Sequence, residues 1–274
     1  MDSRLRKLVA VSAVATGFLM LLGVYTAAAG AGLTCGRQWP LCDGAVFGLF
    51  PANWGSFVEW FHRLVAMLTG FLILGTTVSA WRRGASRRVR YALALATVLL
   101  PSQIVLGALT VTEYEIVILT AHFVTAASIY ALVVAAAAWA YGADVARLRR
   151  AVAGAVLALP AVALLSPRVF VTYSANVQAV YYALGLAAFG ALVAATLWAG
   201  DLGARRVRPV VGVAAAALLV LLVVGRQAYA TDLLGLAGAL LVLAATGLAA
   251  YLLYARPERE LGGRSGPASG PSGD

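Results

Sequence analysis

Two histidines have the clearest chemical potential in this chain. His62 and His122 are its only histidines, and each lies a few residues inside the end of a long apolar segment. An ionisable side chain within a membrane is costly and is by default a functional candidate. Two imidazoles at similar depth on neighbouring helices could bind a haem iron. A purely structural histidine is the alternative, but the shared depth and the lack of any other histidine favour a paired function.

Glu59 and Arg63 flank the first of these histidines. Glu59 precedes His62 by three residues, so the two side chains share one face of a helix. Arg63 is predicted to reach the outer headgroup level or a carboxylate on a substrate. The alternative is an ordinary interfacial helix start with Trp60 as its aromatic anchor. The combined motif favours function, because each polar group in it would need compensation in lipid.

Cys35 and Cys42 are the only cysteines, and they lie directly before the segment that carries His62. In a short loop on an oxidising side of a membrane, such a pair is expected to form a disulfide. The pair could be a loop staple, a redox pair or a lid over a site, and the sequence leaves these readings open. A zinc site is disfavoured, because few further ligands accompany the cysteines.

The elements that must position these residues are membrane helices. Of the 274 residues, 62% are hydrophobic and 12% are charged, as is typical of a polytopic membrane protein. We predict an all-α fold with eight transmembrane helices, of which the fifth is the shortest. The predicted spans are 8–30, 57–80, 91–111, 117–141, 151–167, 175–199, 210–230 and 233–255.

Basic residues recur at every second boundary between these spans. Under the positive-inside rule, this pattern places both termini in the cytoplasm and the cysteine loop outside it. The net charge of +10 is scattered over short loops, so we expect no nucleic-acid partner. The first apolar stretch is longer than a signal peptide core and is predicted to stay uncleaved. With no transit peptide, the pattern favours a prokaryotic plasma membrane, and the polar residues 256–274 are predicted to be a disordered cytoplasmic tail.

An internal repeat is predicted to relate residues 1–141 to residues 142–255. Each half would be a four-helix bundle, and the two would form a parallel repeat about the membrane normal. Aligning the halves places Tyr181 opposite His62, Gln178 opposite Glu59, and Leu240 opposite His122. The second half would then have an aromatic or apolar filling where the first half has a polar site.

These residues together resemble the haem A synthase family, whose members convert haem O to haem A for terminal oxidases. The resemblance covers most of the chain. Its motifs are Cys35 with Trp39-Pro40-Leu41-Cys42-Asp43-Gly44, then Glu59-Trp60-Phe61-His62-Arg63, the segment 103–111, and His122. It implies that His62 and His122 hold the iron of the substrate haem, that Glu59 is essential for oxidation, and that the cysteine pair supports haem handling.

Many eight-helix members of that family carry a second histidine pair that binds haem b. No histidine follows His122 here, so a bis-histidine haem b in the second half is predicted to be absent. The leading hypothesis is an oxidoreductase that converts a haem O ring methyl to a formyl group. In it, Arg63 would bind a haem propionate or another part of the substrate, and a haem O synthase would be the supplying partner. One alternative is a non-catalytic haem-binding membrane protein, either an electron carrier or a haem chaperone. Another is a quinone-coupled thiol–disulfide oxidoreductase, and a homo-oligomer is left open.

Overall fold

The chain folds into long helices connected by short loops. The computed structural model describes residues 2–36, 42, 45–46, 49–51, 53–113, 115–166, 170–172, 174–226 and 232–255, so the predicted tail 256–274 lies outside the described residues. The α-helices within these ranges are α1 Ser3–Ala28, α2 Trp54–Arg82, α3 Arg87–Thr112, α4 Ile116–Tyr141, α5 Val145–Leu164, α6 Ala175–Asp201, α7 Val207–Arg226 and α8 Asp232–Tyr254.

Four of the described helices, α1, α2, α3 and α5, begin before the apolar segments that predicted them, because polar residues cap their first turns. Asp2, Asn53, Ser86, Asp144 and Ser174 each accept a hydrogen bond from a backbone N–H of the turn that follows. The first backbone N–H groups of a helix have no partner within the helix, so such a side chain satisfies one of them. The hydrophobic pattern marks the membrane-embedded part of each helix, and the cap sets its true start.

The helices pack as two rings of four. In the first ring each of α1 to α4 contacts the next, and α4 contacts α1; α5 to α8 repeat this order of neighbours. The rings meet where α6 packs against α1 and α4, with a smaller contact between α4 and α7. A four-helix repeat would produce this order. The parallel-repeat relation, the division at residue 141 and the cytoplasmic position of the termini stay predictions.

Seven of the helices are long and apolar enough to cross a membrane, so the chain is a multi-pass membrane protein. The exception among the described helices is α5, whose first turns carry Arg147, Arg149 and Arg150. They leave residues 151–164 as its uncharged part, shorter than the roughly 17 residues that a perpendicular span needs. The predicted fifth span is therefore a helix, but it is not apolar enough over a sufficient length to be a candidate membrane span.

A short hairpin departs from the all-α prediction. Strands β1 (Ala45–Val46) and β2 (Leu49–Pro51) pair antiparallel between α1 and α2, and a short 3₁₀ helix, Ala31–Leu33, follows α1. Strands of two and three residues are too short to leave an alternating hydrophobic pattern. The described residues between α1 and α2 therefore include a 3₁₀ helix and a strand pair.

Hydroxyl side chains join the helices of the first ring. Ser12 on α1 and Thr76 on α2 are hydrogen-bonded at 3.0 Å, and Thr77 on α2 and Thr97 on α3 at 2.8 Å. Lipid chains are as apolar as leucine, so helix association in a membrane depends on close packing and on such interhelical hydrogen bonds. These bonds contribute to the rotation of α2, the helix on which His62 lies.

Candidate functional site

The two cysteines form the predicted disulfide, which lies on the first turn of α2. Cys35 and Cys42 are bonded to each other and are 0% and 4% exposed. Their sulfur atoms lie 3.9 and 4.0 Å from the carbonyl oxygen of Ser56. The disulfide is thus buried against the helix that carries Glu59 and His62, and the prediction of a disulfide is confirmed.

The loop makes close contact with α2 at two further points. The Ser56 hydroxyl donates to the carbonyl oxygen of Thr34 at 3.1 Å. A Cβ at Gly55 would lie only 2.9 Å from Cγ2 of Thr34, closer than van der Waals contact allows. Glycine at position 55 lets the loop backbone approach the helix, so the loop is positioned by packing as well as by its covalent bond.

Glu59 connects this loop to the helix through its carboxylate. The side chain is buried, with 2% of the residue exposed, and the Cys35 N–H donates to its Oε2 at 3.0 Å. Its Oε1 forms an ion pair with the guanidinium of Arg63. The Thr34 hydroxyl lies 3.4 Å from Oε2, but its shorter bond, 2.7 Å, goes to the carbonyl oxygen of Ala31. A buried carboxylate needs such compensation, and here the cysteine loop supplies part of it.

Arg63 lies one helical turn after Glu59 and contacts its carboxylate. Its side chain is 14% exposed, so most of the guanidinium stem is packed within the protein. Sequence reasoning predicted an arginine that extends to the headgroup level or to a substrate carboxylate. In the structure Arg63 forms an ion pair with Glu59 on the same helix. Glu59 also accepts from the Cys35 N–H, so the disulfide, Glu59 and Arg63 are connected.

His62 lies between Glu59 and Arg63 on α2 and packs against α1. The residue is half-buried, and a Cβ at Gly23 of α1 would lie 2.9 Å from its Cε1 and 3.5 Å from its Nε2. Contacts below 3.0 Å are essentially never made by a real Cβ. Gly23 therefore provides the space that the imidazole occupies, a role that composition alone did not reveal.

His122 has a similar environment on α4. A Cβ at Gly107 of α3 would lie 3.5 Å from its Cε1, an ordinary contact. The Gln103 side chain donates from Nε2 to the carbonyl oxygen of His122 at 2.9 Å, joining α3 to α4. Sequence reasoning gave Gln103 no role of its own. A carboxamide in the middle of an apolar helix was the available signal, because it needs a hydrogen-bond partner in lipid.

The two histidines lie on helices that face each other across the first ring. Contacts run from α1 to α2, α2 to α3, α3 to α4 and α4 to α1, so α1 and α3 separate the helices that carry His62 and His122. The expectation of neighbouring helices was therefore wrong. At 1.5 Å per residue, His62 lies about 12 Å from the start of α2 and His122 about 9 Å from the start of α4. Both helices begin at the same end of the bundle, so the predicted similarity in depth is consistent with the fold.

Buried aromatic side chains of α6 lie where the second ring meets the first: the ring of Tyr182 contacts Phe123 of α4, with ring centroids 5.8 Å apart. Tyr181 and Tyr182 are both 0% exposed, with ring centroids 5.1 Å apart. The Tyr182 hydroxyl donates to the carbonyl oxygen of Leu222 on α7 at 2.7 Å. A Cβ at Gly225 would lie 3.3 and 3.4 Å from the two tyrosine hydroxyl oxygens. The residue aligned with His62 is thus buried in a packed aromatic cluster.

The residue aligned with His122 does not fill the second ring. Leu240 on α8 is 51% exposed, whereas Ala239 and Val242 are 0% and 1% exposed. The side chains that face the ring are therefore its neighbours. The alignment of the two halves stays a prediction, and Leu240 lies on an exposed face of α8.

Among the residues that the structure describes, no group of three or more histidine, cysteine, aspartate or glutamate side chains could hold a metal ion. A site for a bare divalent ion usually needs that many protein ligands. An iron already held by a porphyrin needs only axial ligands, and two imidazoles can provide them. The donor set of the first ring suits a haem better than a free ion.

Comparison with known proteins adds independent evidence. The model of the cytochrome oxidase assembly protein family (COX15-CtaA) matches residues 6–257. A protein named heme A synthase from Bacillus licheniformis is 31% identical over 125 residues, 45% of this chain and 41% of that protein. One of the same name from Bacillus pumilus is 36% identical over 104 residues, 36% of this chain and 33% of that protein.

A second kind of relative has a different name. A protein named protoheme IX farnesyltransferase from Halobacterium salinarum is 40% identical over 131 residues, 47% of this chain and 28% of that protein. The match to each of these three relatives thus spans less than half of the relative's own length. The family match, in contrast, covers almost the whole chain. This chain belongs to the COX15-CtaA family of cytochrome oxidase assembly proteins, the haem A synthase family.

Proposed function

We propose that this protein is a haem A synthase-like oxidoreductase that binds haem O in its first ring and oxidises one ring methyl to a formyl group, with the oxygen atom and the electron acceptor supplied from outside the protein. Membership of the family supports a part in haem A biosynthesis. The observation that carries the proposal is the pair of imidazoles on helices that face each other across one ring, at similar depth. This arrangement suits a flat ligand that enters between the helices.

His62 and His122 are the proposed ligands of the substrate iron. Each imidazole packs against a glycine of the helix that precedes its own, Gly23 for His62 and Gly107 for His122. A side chain whose rotamer is restricted by packing presents its ligand atom with little loss of entropy. The Gln103 hydrogen bond to the carbonyl oxygen of His122 joins α3 to α4 at the position of this ligand.

Glu59 is proposed to be the residue that acts on the reacting methyl. Its carboxylate is one turn from His62, and the Cys35 N–H and Arg63 hold its orientation. A fixed negative charge in a site of low dielectric stabilises positive charge that develops at a nearby carbon. Arg63 has five N–H donors, so it can keep its bond to Glu59 and also bind a haem propionate.

The second ring is proposed to be a scaffold without a bis-histidine haem b. No histidine follows position 122, and Tyr181 and Tyr182 are fully buried against each other where α6 meets α7 and α4. Closely packed side chains thus occupy the position that aligns with His62. We expect one haem site in the chain, in the first ring.

The proposed partner is a haem O synthase. Less than a third of the Halobacterium salinarum protein named protoheme IX farnesyltransferase matches this chain. That protein thus contains a region similar to this chain within a longer polypeptide named for the transfer of a farnesyl group to haem, the reaction that forms haem O. Such a union favours transfer of a prenylated haem from one active site to the next without release into lipid. The proposed location is a prokaryotic plasma membrane, with the cysteine loop outside and the arginine-rich helix ends in the cytoplasm.

A non-catalytic haem-binding membrane protein, either an electron carrier or a haem chaperone, is the second candidate. The observation that favours it is the buried tyrosine cluster of the second half, because the resemblance implies a haem b at a histidine pair in that half of many eight-helix family members, and this chain has no histidine there. A thiol–disulfide oxidoreductase is disfavoured, since Cys35 and Cys42 are at most 4% exposed and thiol–disulfide exchange needs access for the attacking thiolate.

Extraction of pigments from the purified protein tests the proposal. Cells supplied with haem O should yield protein that contains both haem O and haem A. Haem B alone would support the carrier, and no haem at all would refute both haem functions.

Substitution of Glu59 tests the proposed mechanism. Glu59→Gln keeps the shape and can still accept from the Cys35 N–H, but it lacks the charge. This variant should bind haem and accumulate haem O without forming haem A, whereas His62→Ala should weaken haem binding itself. Glu115→Gln, at an exposed position before α4, is the charge-matched control. If Glu59→Gln formed haem A at the wild-type level, the proposed role of Glu59 in oxidation would be refuted, and its hydrogen bond to the cysteine loop would remain.

A further inference from the structure

A cleft opens between α6 and α7, at the end of these helices where one short loop joins them. Its volume is about 800 Å³, and Arg205 and Arg208 line it at the loop end. It belongs to the second ring, whereas both histidines are in the first. The cleft has no part in the proposed haem chemistry.

The positive charge of this cleft is not neutralised within the described protein. Among the residues that the structure describes, neither Arg205 nor Arg208 forms an ion pair. The carboxylate at the end of α6, Asp201, is already paired with Arg88 of α3 at 2.8 Å. The acid next to the cleft is thus held by a different helix, and the two guanidinium groups are left to an external anion.

Arg208 is positioned along α6 by a glycine. A Cβ at Gly200 would lie 3.2 Å from Nε of Arg208 and 3.4 Å from its Cδ, tighter than most real contacts. The absence of a side chain at position 200 lets the arginine lie against the helix backbone at the cleft wall. The guanidinium is therefore part of a shaped surface, although the residue is exposed.

The cleft becomes apolar one helical turn further from the loop. Its wall there is formed by Thr196 of α6 and by Gly212 and Val213 of α7, and Val213 is 64% exposed. The Thr196 hydroxyl donates to the carbonyl oxygen of Leu192 at 2.8 Å, so its proton is used within its own helix. Both helices are candidate membrane spans, so this wall lies at the depth where hydrocarbon begins.

We propose that this cleft binds an anionic glycerophospholipid, with the headgroup phosphate on Arg205 and Arg208 and an acyl chain along Gly212 and Val213. Basic pockets between membrane helices recognise headgroups by charge, and arginine binds phosphate through two parallel N–H donors. A soluble anion would satisfy the arginines but would leave the exposed apolar wall unused. The combination of a basic rim and an apolar groove fits a lipid.

The test is native mass spectrometry of the full-length protein in detergent, titrated with phosphatidylglycerol or with phosphatidylcholine. The Arg205→Gln/Arg208→Gln double variant removes the basic rim. Arg82→Gln/Arg206→Gln is the control, since it removes two exposed arginines that lie outside the cleft. The two double variants therefore have the same net charge. Gly212→Leu fills the groove while it keeps the charge, and competition with inorganic phosphate separates lipid from free anion.

We expect phosphatidylglycerol to bind preferentially to the wild type and to the control. At about fivefold per arginine, the cleft double variant should bind it about 25-fold more weakly, and Gly212→Leu should also weaken it. Equal losses in the two double variants would show attraction to surface charge in general and would overturn the proposal. Full displacement by phosphate, with no effect of Gly212→Leu, would identify a free-anion site and would overturn it too. The single variants Arg205→Gln and Arg208→Gln provide the same comparison if the double variant does not fold.

Discussion

Replacement of Gly23 by alanine tests whether α1 positions the first haem ligand. The added Cβ would lie 2.9 Å from Cε1 of His62, and contact becomes ordinary only from 3.4 Å. The imidazole must therefore move by about 0.5 Å, or α1 and α2 must separate by as much. Functional groups need to be held within about 0.5 Å of their productive geometry, so the shift is large enough to affect ligation.

The expected energy follows from two opposing effects. Insertion of a methyl group into a packed site costs about 1–3 kcal/mol. Alanine is favoured over glycine inside a helix by about 1 kcal/mol. Overall stability should therefore change by less than about 2 kcal/mol, while the cost is concentrated at His62. A loss of about 1.4 kcal/mol in the free energy of haem binding corresponds to a tenfold larger dissociation constant.

The assay is titration of the purified apoprotein with haem, followed in the Soret band and in the low-spin bands of bis-imidazole iron. Gly75→Ala is the matched control, because Gly75 lies within α2 and an added Cβ there meets nothing within 4 Å. Gly23→Ala should bind about tenfold more weakly and lose part of the low-spin signal. Equal affinity and identical spectra in the two variants would refute the view that Gly23 positions an iron ligand.

Three further predictions concern the same structure. Alkylation of the unreduced protein should label neither Cys35 nor Cys42, and reduction should expose both; labelling of the untreated protein would contradict the bonded pair. The purified chain should bind at most one haem, so two per chain by pyridine haemochrome would disprove the scaffold role of the second ring. Gln103→Leu removes the bond to the His122 carbonyl and should lower thermal stability by about 0.5–1.5 kcal/mol; an unchanged midpoint would show that the bond contributes nothing.

The sequence predicted the helices well, because a membrane imposes a simple length requirement. Without water, a spanning segment must satisfy its backbone internally as a helix of about 20 apolar residues. Seven predicted spans coincide with candidate spans. The fifth differed because Arg147, Arg149 and Arg150 occupy the first turns of α5. The hairpin of β1 and β2 was missed, because so few residues carry no periodic signal.

The residues of the candidate site were also available from the sequence, but their contacts were not. The spacing of Glu59, His62 and Arg63 places them on adjacent turns of one helix whatever the fold. That the Cys35 N–H donates to Glu59 depends on how the loop returns to α2, a contact between residues 24 positions apart. Likewise, no local pattern indicated that Gly23 faces His62.

The sequence by itself thus determined a polytopic helical membrane protein, one cysteine pair and a single pair of histidines. Composition, helix periodicity and the cost of polar groups in lipid are local properties, and they can be read along the chain. Tertiary structure alone decided that α2 and α4 face each other across a ring and that Tyr181 is buried while Leu240 is exposed. The rotation of each helix and the choice of its neighbours depend on packing and interhelical hydrogen bonds summed over the whole bundle, and no single segment contains that information.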